Sequence, residues 1–302
     1  MMKGLKKLLG ILEAKYRMGN SPLTIKPLST FCPACTSPMR QIGGGYSMCK
    51  TCRYMNSRNL PGAGAEVVSI DAVREKNFRL IYKAIKEKFP QAKTILDVGS
   101  STGHFLKLAS EEGLAVTGLE PAVHLADQAR SQGYDVITGF FPHADGLSDQ
   151  MYDIIIFNDS FEHIPNLKDV LQGIKNHLKE GGIAIINLPT SDGIIFKTAF
   201  LLNKIGISTP FNRLWQKGFI SPHLHYFNVR NLKFFFENNG FVMHYSSPLY
   251  YYTIKGLWKR ISCKSPFFVS IFSWLCMVLW YPIFTLFSDC FVACFSISNK
   301  KG

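Results

Sequence analysis

The segment that most constrains this chain is Ile95 to Phe105, ILDVGSSTGHF, where an apolar run ends on an acidic residue, turns through two glycines and enters a helical pattern. A strand ending this way opens an open, mostly parallel sheet. In such sheets ligands bind beyond the carboxyl ends of the strands, closest to the first strand-to-helix turn. Gly99 and Gly103 carry no Cβ, so the backbone can bend sharply there, approach a ligand and let the helix pack near the strand. Asp97 is expected to accept hydrogen bonds from the loop amides and steady the turn. A glycine turn alone also suits a purely structural bend. The second feature is Glu120, which ends the strand-like VTGLEP about 20 residues on, where an acidic side chain accepts from both ribose hydroxyls of a nucleoside. Together the two specify a nucleoside-binding edge.

Around that turn, strand-like and helical runs alternate. Apolar residues recur at helical spacing from about Ser69 to Phe89. Strand patterns then cover Thr94 to Val98, Ala115 to Leu119, Tyr134 to Thr138, Tyr152 to Asn158 and Ile183 to Leu188. Helices are expected from His104, from Val123 and over Lys168 to Leu178. A last helix, Asn231 to Asn239, leads through Gly240 to a strand at Phe241 to Tyr245 that would complete the sheet. The pattern predicts an α/β, Rossmann-like doubly wound sheet of seven strands covered by helices on both faces. The chain divides into a basic amphipathic segment (1–27), a cysteine module (28–58), a linker (59–69), the α/β domain (70–250) and a basic and hydrophobic C-terminal segment (251–302).

Residues 70 to 250 resemble the class I methyltransferases that use S-adenosylmethionine, especially the branch holding ubiquinone-biosynthesis O-methyltransferases and methyltransferases of surface-polysaccharide pathways. The resemblance rests on DVGSSTGHF (97–105), GLEP (118–121), YDIIIFNDSFEHIPN (152–166) and LKEGGIAIINLP (178–189), in that order. It implies that Asp97, Gly99, Ser101 and Gly103, with His104, line the methionine part of S-adenosylmethionine. It also implies that Glu120, followed by Pro121, holds the ribose and that Asn158, Asp159 and Ser160 lie beside the sulfonium. Ser101 stands where many members carry a glycine. The acidic residue that usually follows the third strand is missing from TGFFPH, so backbone amides and a ring contact from Phe141 are expected to serve the adenine.

Methyl transfer from a sulfonium is an in-line displacement with an activated leaving group, so the protein aligns the acceptor and removes its proton. A hydroxyl acceptor therefore needs a base. His163 in FEHIP, with Glu162 beside it, and His223 and His225 in SPHLHYFN compete for that role. His223 and His225 are two apart and share one side of an extended segment. Each histidine also has a purely structural reading, His163 as a helix-entry residue and the pair as internal hydrogen-bonding groups closing the pocket. Glu162 with Asp159 offers two oxygens to a divalent metal, too few to define a site.

Cys32-Pro-Ala-Cys35 and Cys49-Lys-Thr-Cys52, separated by a stretch that includes Gly43-Gly44-Gly45, have the spacing of a zinc ribbon. Four thiolates on two knuckles match tetrahedral zinc, which supplies folding energy that a segment this small lacks. A closed four-sulfur site makes that zinc structural. Two disulfides or free thiols are the alternative. No signal peptide is evident at the start of the chain, which favours a reducing compartment.

The net charge of +13 suits RNA, an anionic membrane or a phosphate-bearing substrate. The charge-free run from Ser265 to Ser288 exceeds the ~20 residues that cross a bilayer, whereas a buried core helix would show a polar stripe. Pro282 and Asp289 speak against one clean span. Lys255, Lys259, Arg260 and Lys264 before the run and Lys300 and Lys301 after it favour a hairpin or an in-plane anchor on the cytoplasmic face of the membrane. The expected acceptor is a membrane-associated sugar, on a lipid-linked or surface polysaccharide, with a quinone precursor as the alternative. Ribosomal or transfer RNA and an inactive zinc-ribbon adaptor are weaker alternatives, and no nucleic-acid partner is expected.

Overall fold

The computed structural model describes residues 30–59, 61–62, 71–250, 254, 257–262, 267–279, 281 and 288–298. The expected N-terminal amphipathic helix, most of the linker and most of the flanking lysines lie outside the described residues. In chain order the strands are β1 (Met39–Gln41), β2 (Tyr46–Cys49), β3 (Met55–Ser57), β4 (Thr94–Val98), β5 (Ala115–Glu120), β6 (Asp135–Thr138), β7 (Tyr152–Asn158), β8 (Leu178–Pro189), β9 (His225–Tyr226), β10 (Phe241–Leu249) and β11 (Cys290–Ile297). The α-helices are α1 (Asp71–Lys88), α2 (His104–Glu111), α3 (Val123–Ser131), α4 (Leu167–His177), α5 (Ile194–Lys204), α6 (Thr209–Leu214), α7 (Val229–Glu237), α8 (Leu257–Ser262) and α9 (Phe267–Leu279).

The larger sheet has seven strands in the order β10-β11-β8-β7-β4-β5-β6. Strands β4 to β8 run parallel, as their near-continuous apolar sequences require when both faces are covered. Alternation sorts their side chains. Leu96, Val98, Ile155, Phe157, Ala184 and Ile186 face the core shared with α4 and α7, while Ile95, Ile154, Ile156, Ile183 and Ile185 face Phe78, Ile81 and Ile85 of α1.

Two expectations about domain organisation need correction. First, β10 does not complete the sheet. The strand β11 inserts between β10 and β8, antiparallel to both, so the α/β domain ends near Ile297 rather than at 250. The pairing of Leu249 with Cys290 makes residues 250–289 an excursion from one hairpin end, not a tail. Its charge-free run holds α9, whose 13 residues reach about 20 Å at 1.5 Å per residue. No helix among the described residues is long and apolar enough to cross a membrane.

Second, the cysteine module is not a detached unit. Its strands β1, β2 and β3 form an antiparallel sheet whose fourth strand, β9, comes from the α/β domain, with Met55 opposite Tyr226 and Asn56 opposite His225. Cys32, Ala34, Cys49, Cys52 and Tyr54 belong to the same apolar core as Phe157, Phe161, Phe227 and Phe235. Asn231 and Asn238 of the α7 region donate to the carbonyls of Cys52 (3.1 Å) and Ala34 (2.8 Å). A module too small to bury its own apolar face has merged with the neighbouring core.

Candidate active site

The turn between β4 and α2 has positive φ at Gly99 (83°), Ser101 (50°) and Gly103 (86°). A Cβ on Gly99 would stand 2.7 Å from Ser160 Cβ, so glycine is required there both by conformation and by the approach of the loop that follows β7. The amides of Gly99 and Ser100 donate to the carbonyl of Leu119 (2.7 and 3.2 Å). Ser101 N donates to Glu120 Oε2 (2.9 Å) and Ala122 N to Glu120 Oε1 (2.8 Å).

The expected tether therefore changes hands. It is Glu120, not Asp97, that receives a loop amide, because Leu119 has already taken the two nearest Asp97. The buried Asp97 carboxylate instead accepts from Asn158 Nδ2 on the neighbouring strand (3.2 Å). Burial pushes its pKa up to about 7 against the opposing pull of that hydrogen bond. Asn158 and Asn187 continue this row along the strand ends, and Ser160 Oγ donates to the carbonyl of Val98 (2.6 Å).

His104 begins α2 on the exposed side, and Pro121 is half-buried beyond β5. The ring expected near adenine also differs. Phe141 is 5% exposed and packs edge-on against Phe157 in the core, whereas Phe140 is 46% exposed, so Phe140 is the ring this turn presents. Adjacent residues on a short loop face opposite ways, and spacing alone does not say which faces in.

Beyond β7 the chain brings Asp159, Glu162 and His163 against the segment that carries His223 and His225. Asp159, at φ 51°, pairs with Arg74 of α1 at 3.7 Å. Glu162 is 1% exposed, and neither carboxylate oxygen has a hydrogen-bond partner among the described residues. Burial, reinforced by Asp159, raises its pKa well above the usual carboxylate range. The two segments are joined where Leu224 N donates to the main-chain carbonyl of Glu162 (2.9 Å).

The three histidines are in unlike situations. His163 Nδ1 donates to the carbonyl of Pro222 (2.9 Å), which fixes its tautomer and leaves Nε2 as a lone pair. His225 Nε2 donates to the carbonyl of Ile164 (3.0 Å), and its Nδ1 accepts from Tyr54 OH at 2.5 Å. Both nitrogens of His225 are thus committed, which makes it a strut between the cysteine module and the β7 loop rather than a base. His223 packs edge-on against His163 with ring centroids 4.7 Å apart; its Nε2 lies 2.9 Å from Gln216 Nε2 and 3.8 Å from Glu162 Oε1. Burial lowers the pKa of His163 and of His225 to about 4, and that of His223 well below the ordinary imidazole value. All three are neutral at physiological pH.

In the cysteine module, Cys32, Cys35, Cys49 and Cys52 place their sulfur atoms within 4.8 Å of one another, with Cys32 Sγ 3.5 Å from Cys52 Sγ and Cys35 Sγ 3.4 Å from Cys49 Sγ. Thr51 N and Cys52 N each point at Cys49 Sγ at 3.4 Å, as in a knuckle that stabilises thiolate charge. The four sulfurs fit one tetrahedral ion with no position left over.

A family model described as "Methyltransferase domain" matches residues 70–246. The chain belongs to that methyltransferase domain family. Among curated proteins it is similar to the C-methyltransferase NovU of Streptomyces niveus, 25% identical over 150 residues, which are 48% of this chain and 32% of that protein. The match thus spans about a third of the relative's length. Among solved structures, a chain of the complex between the Haloferax volcanii Trm112 methyltransferase activator and the putative methyltransferase superimposes with a TM-score of 0.53. It is 13% identical and covers 76% of this chain and 93% of that one. A putative sarcosine dimethylglycine methyltransferase from Galdieria sulphuraria gives a TM-score of 0.52 at 16% identity, over 80% and 93% of the two chains. At such identities the likeness is one of fold.

For this methyltransferase, sequence reasoning missed Arg74, Tyr54 and Gln216. Arg74 lies on α1, ahead of the first matched motif, and nothing local marks it. Tyr54 follows Cys52 by two residues and reads as a core aromatic. Only the pairing of β3 with β9 brings its hydroxyl to His225.

Proposed function

We propose that the protein is an S-adenosylmethionine-dependent methyltransferase whose acceptor loses a proton to His163. The observation that carries this is a juxtaposition: the cofactor turn at Gly99 packs on Ser160, two residues before the Glu162–His163 pair. The turn suits the cofactor because Gly99 admits no Cβ, and Glu120 stands at the adjoining strand end as a hydroxyl acceptor. When bound, S-adenosylmethionine supplies a methyl group on a positively charged sulfur. The protein's own part is placement and proton removal. Pro222 holds the His163 ring with its Nε2 lone pair free, burial keeps that ring neutral, and Asp159 with Arg74 fixes the loop beside it.

The acceptor atom we favour is a hydroxyl oxygen of a membrane-associated sugar. A carbon next to a carbonyl is the second reading, because NovU is a C-methyltransferase and carbon methylation needs the same base. The four cysteines hold structural zinc. Apolar side chains on α9, Phe268 (83% exposed), Phe272 (70%) and Leu279 (77%), rest on the cytoplasmic face of the membrane beside basic residues in the sequence on either side.

Incubating membranes with isotope-labelled cofactor and identifying the labelled product by mass spectrometry tests the proposal. A methyl ether on a glycan is expected. A C-methyl sugar would favour the second reading, and a labelled quinone with unlabelled glycans would overturn the sugar. Flotation with anionic vesicles tests the membrane contact, where F268S combined with F272S should abolish co-flotation.

A further inference from the structure

Glu162 poses a problem that proton removal by His163 does not solve. A carboxylate at 1% exposure with neither oxygen partnered among the described residues is costly as an anion. As a neutral acid it still has no acceptor for its proton. Around it stand two neutral imidazoles. Glu162, His163 and His223 each bring one donor atom within 4.8 Å of the others, and His223 Nε2 is 3.8 Å from Glu162 Oε1. With metal–ligand bonds of about 2.1 Å, neighbouring donors in a tetrahedral or octahedral shell are about 3 to 3.5 Å apart, so the trio needs only a small contraction to close on an ion.

Two further details suit a metal. His163 gives its other ring N–H to the Pro222 carbonyl, the outer hydrogen bond that metal-bound imidazoles usually have. The Leu224 N to Glu162 O bond staples the two ligand-bearing segments together, so the donors are held before any ion arrives. A cation would replace the Gln216 amide as the partner of the His223 Nε2 lone pair. One carboxylate and two imidazoles select a borderline divalent ion such as Zn²⁺ or Co²⁺ over Mg²⁺ or Ca²⁺.

We infer that Glu162, His163 and His223 form a second transition-metal site, separate from the four cysteines, whose filling switches off proton removal by taking the His163 lone pair. The inhibitory half rests on the proposed role of His163 as base; the binding half does not.

The test uses the full chain with zinc already in the cysteine site and Co²⁺ as the probe. One further equivalent should bind, with ligand-field absorption but without the intense thiolate-to-cobalt band that a cysteine site gives. H223Q and E162Q should each weaken that equivalent by roughly tenfold or more while the protein still binds S-adenosylmethionine. Absence of the second equivalent, a thiolate band, or undiminished binding in both variants would overturn the site. Methyl transfer should fall at least tenfold as the site fills and return when a mild chelator removes the Co²⁺. Activity that rises or holds with the site filled would overturn the switch. Failure of the base reading looks different, since H163A would then retain activity whatever the cobalt titration shows.

Discussion

The proposed cofactor side and the proposed acceptor side of this site are built in opposite ways. On the cofactor side, the turn from Gly99 to Gly103 and the carboxylate of Glu120 come from consecutive strand ends in one parallel sheet, joined by bonds from Ser101 and Ala122. On the acceptor side, Glu162 and His163 follow β7, while His223 and His225 sit near a two-residue strand that pairs with β3, within 60 residues of the start of the chain. The first arrangement depends on local backbone geometry. The second depends on a long-range contact made beside the cysteine cluster, and the two are expected to fail separately.

The largest separation is expected from C49S, which removes one of four sulfurs. The zinc proposed for the four cysteines would contribute folding energy on the order of 10 kcal/mol, so the β3–β9 pairing should be lost and methyl transfer abolished. Calorimetry with S-adenosylmethionine should still register binding; parallel loss of cofactor binding would show that the two sides are one cooperative unit. Next comes H163A, which should lower kcat by about 10²–10⁴-fold with cofactor affinity intact. In the wild type the acid limb of kcat/KM should fall near pH 4. The sign follows from the base being active only when neutral: a depressed pKa moves protonation, and the loss of rate, to lower pH. A limb at the ordinary imidazole value of about 6.5 would remove the burial argument.

G99A attacks the other side. A methyl group meeting Ser160 Cβ at 2.7 Å, on a backbone at φ 83°, should cost about 1–3 kcal/mol, seen as a lower melting temperature and weaker cofactor binding. Adding S160G should recover part of that loss, because it removes the collision and leaves the φ strain. The smallest effect is expected from Y54F. Losing the hydroxyl on His225 Nδ1 should cost about 1 kcal/mol of stability and raise the acceptor KM more than it changes cofactor affinity. Equal changes in both would place Tyr54 in the general core.

Legibility in the sequence follows the same division. Four motifs in order indicated β4, β5, β7 and β8, and the alternation added β6, because parallel strands buried on both faces write apolar runs that turn signals interrupt. The Gly99 turn and Glu120 were legible for the same reason. What the sequence hid was non-local. That Leu119 takes the amides expected to reach Asp97 depends on the pairing of β4 with β5. Strand β9 is two residues long, too short for any pattern, yet it decides that His225 is a strut. Strand β11 lies beyond the charge-free run but within the stretch grouped as one hydrophobic C-terminal segment, and its partner strands β8 and β10 are distant in sequence, so nothing local marks it as part of the sheet. The facing of Phe140 and Phe141 depends on the course of a loop.

The pairing of Leu249 with Cys290 puts the two ends of the 250–289 excursion side by side at the close of a hairpin. Topologically, that makes the excursion exchangeable: a short turn could replace it while the sheet keeps its strand order, and another insert could occupy the same junction. The proposed membrane contact and the proposed acceptor chemistry thus fall in separable stretches of chain, so that moving the first would need no change in the second.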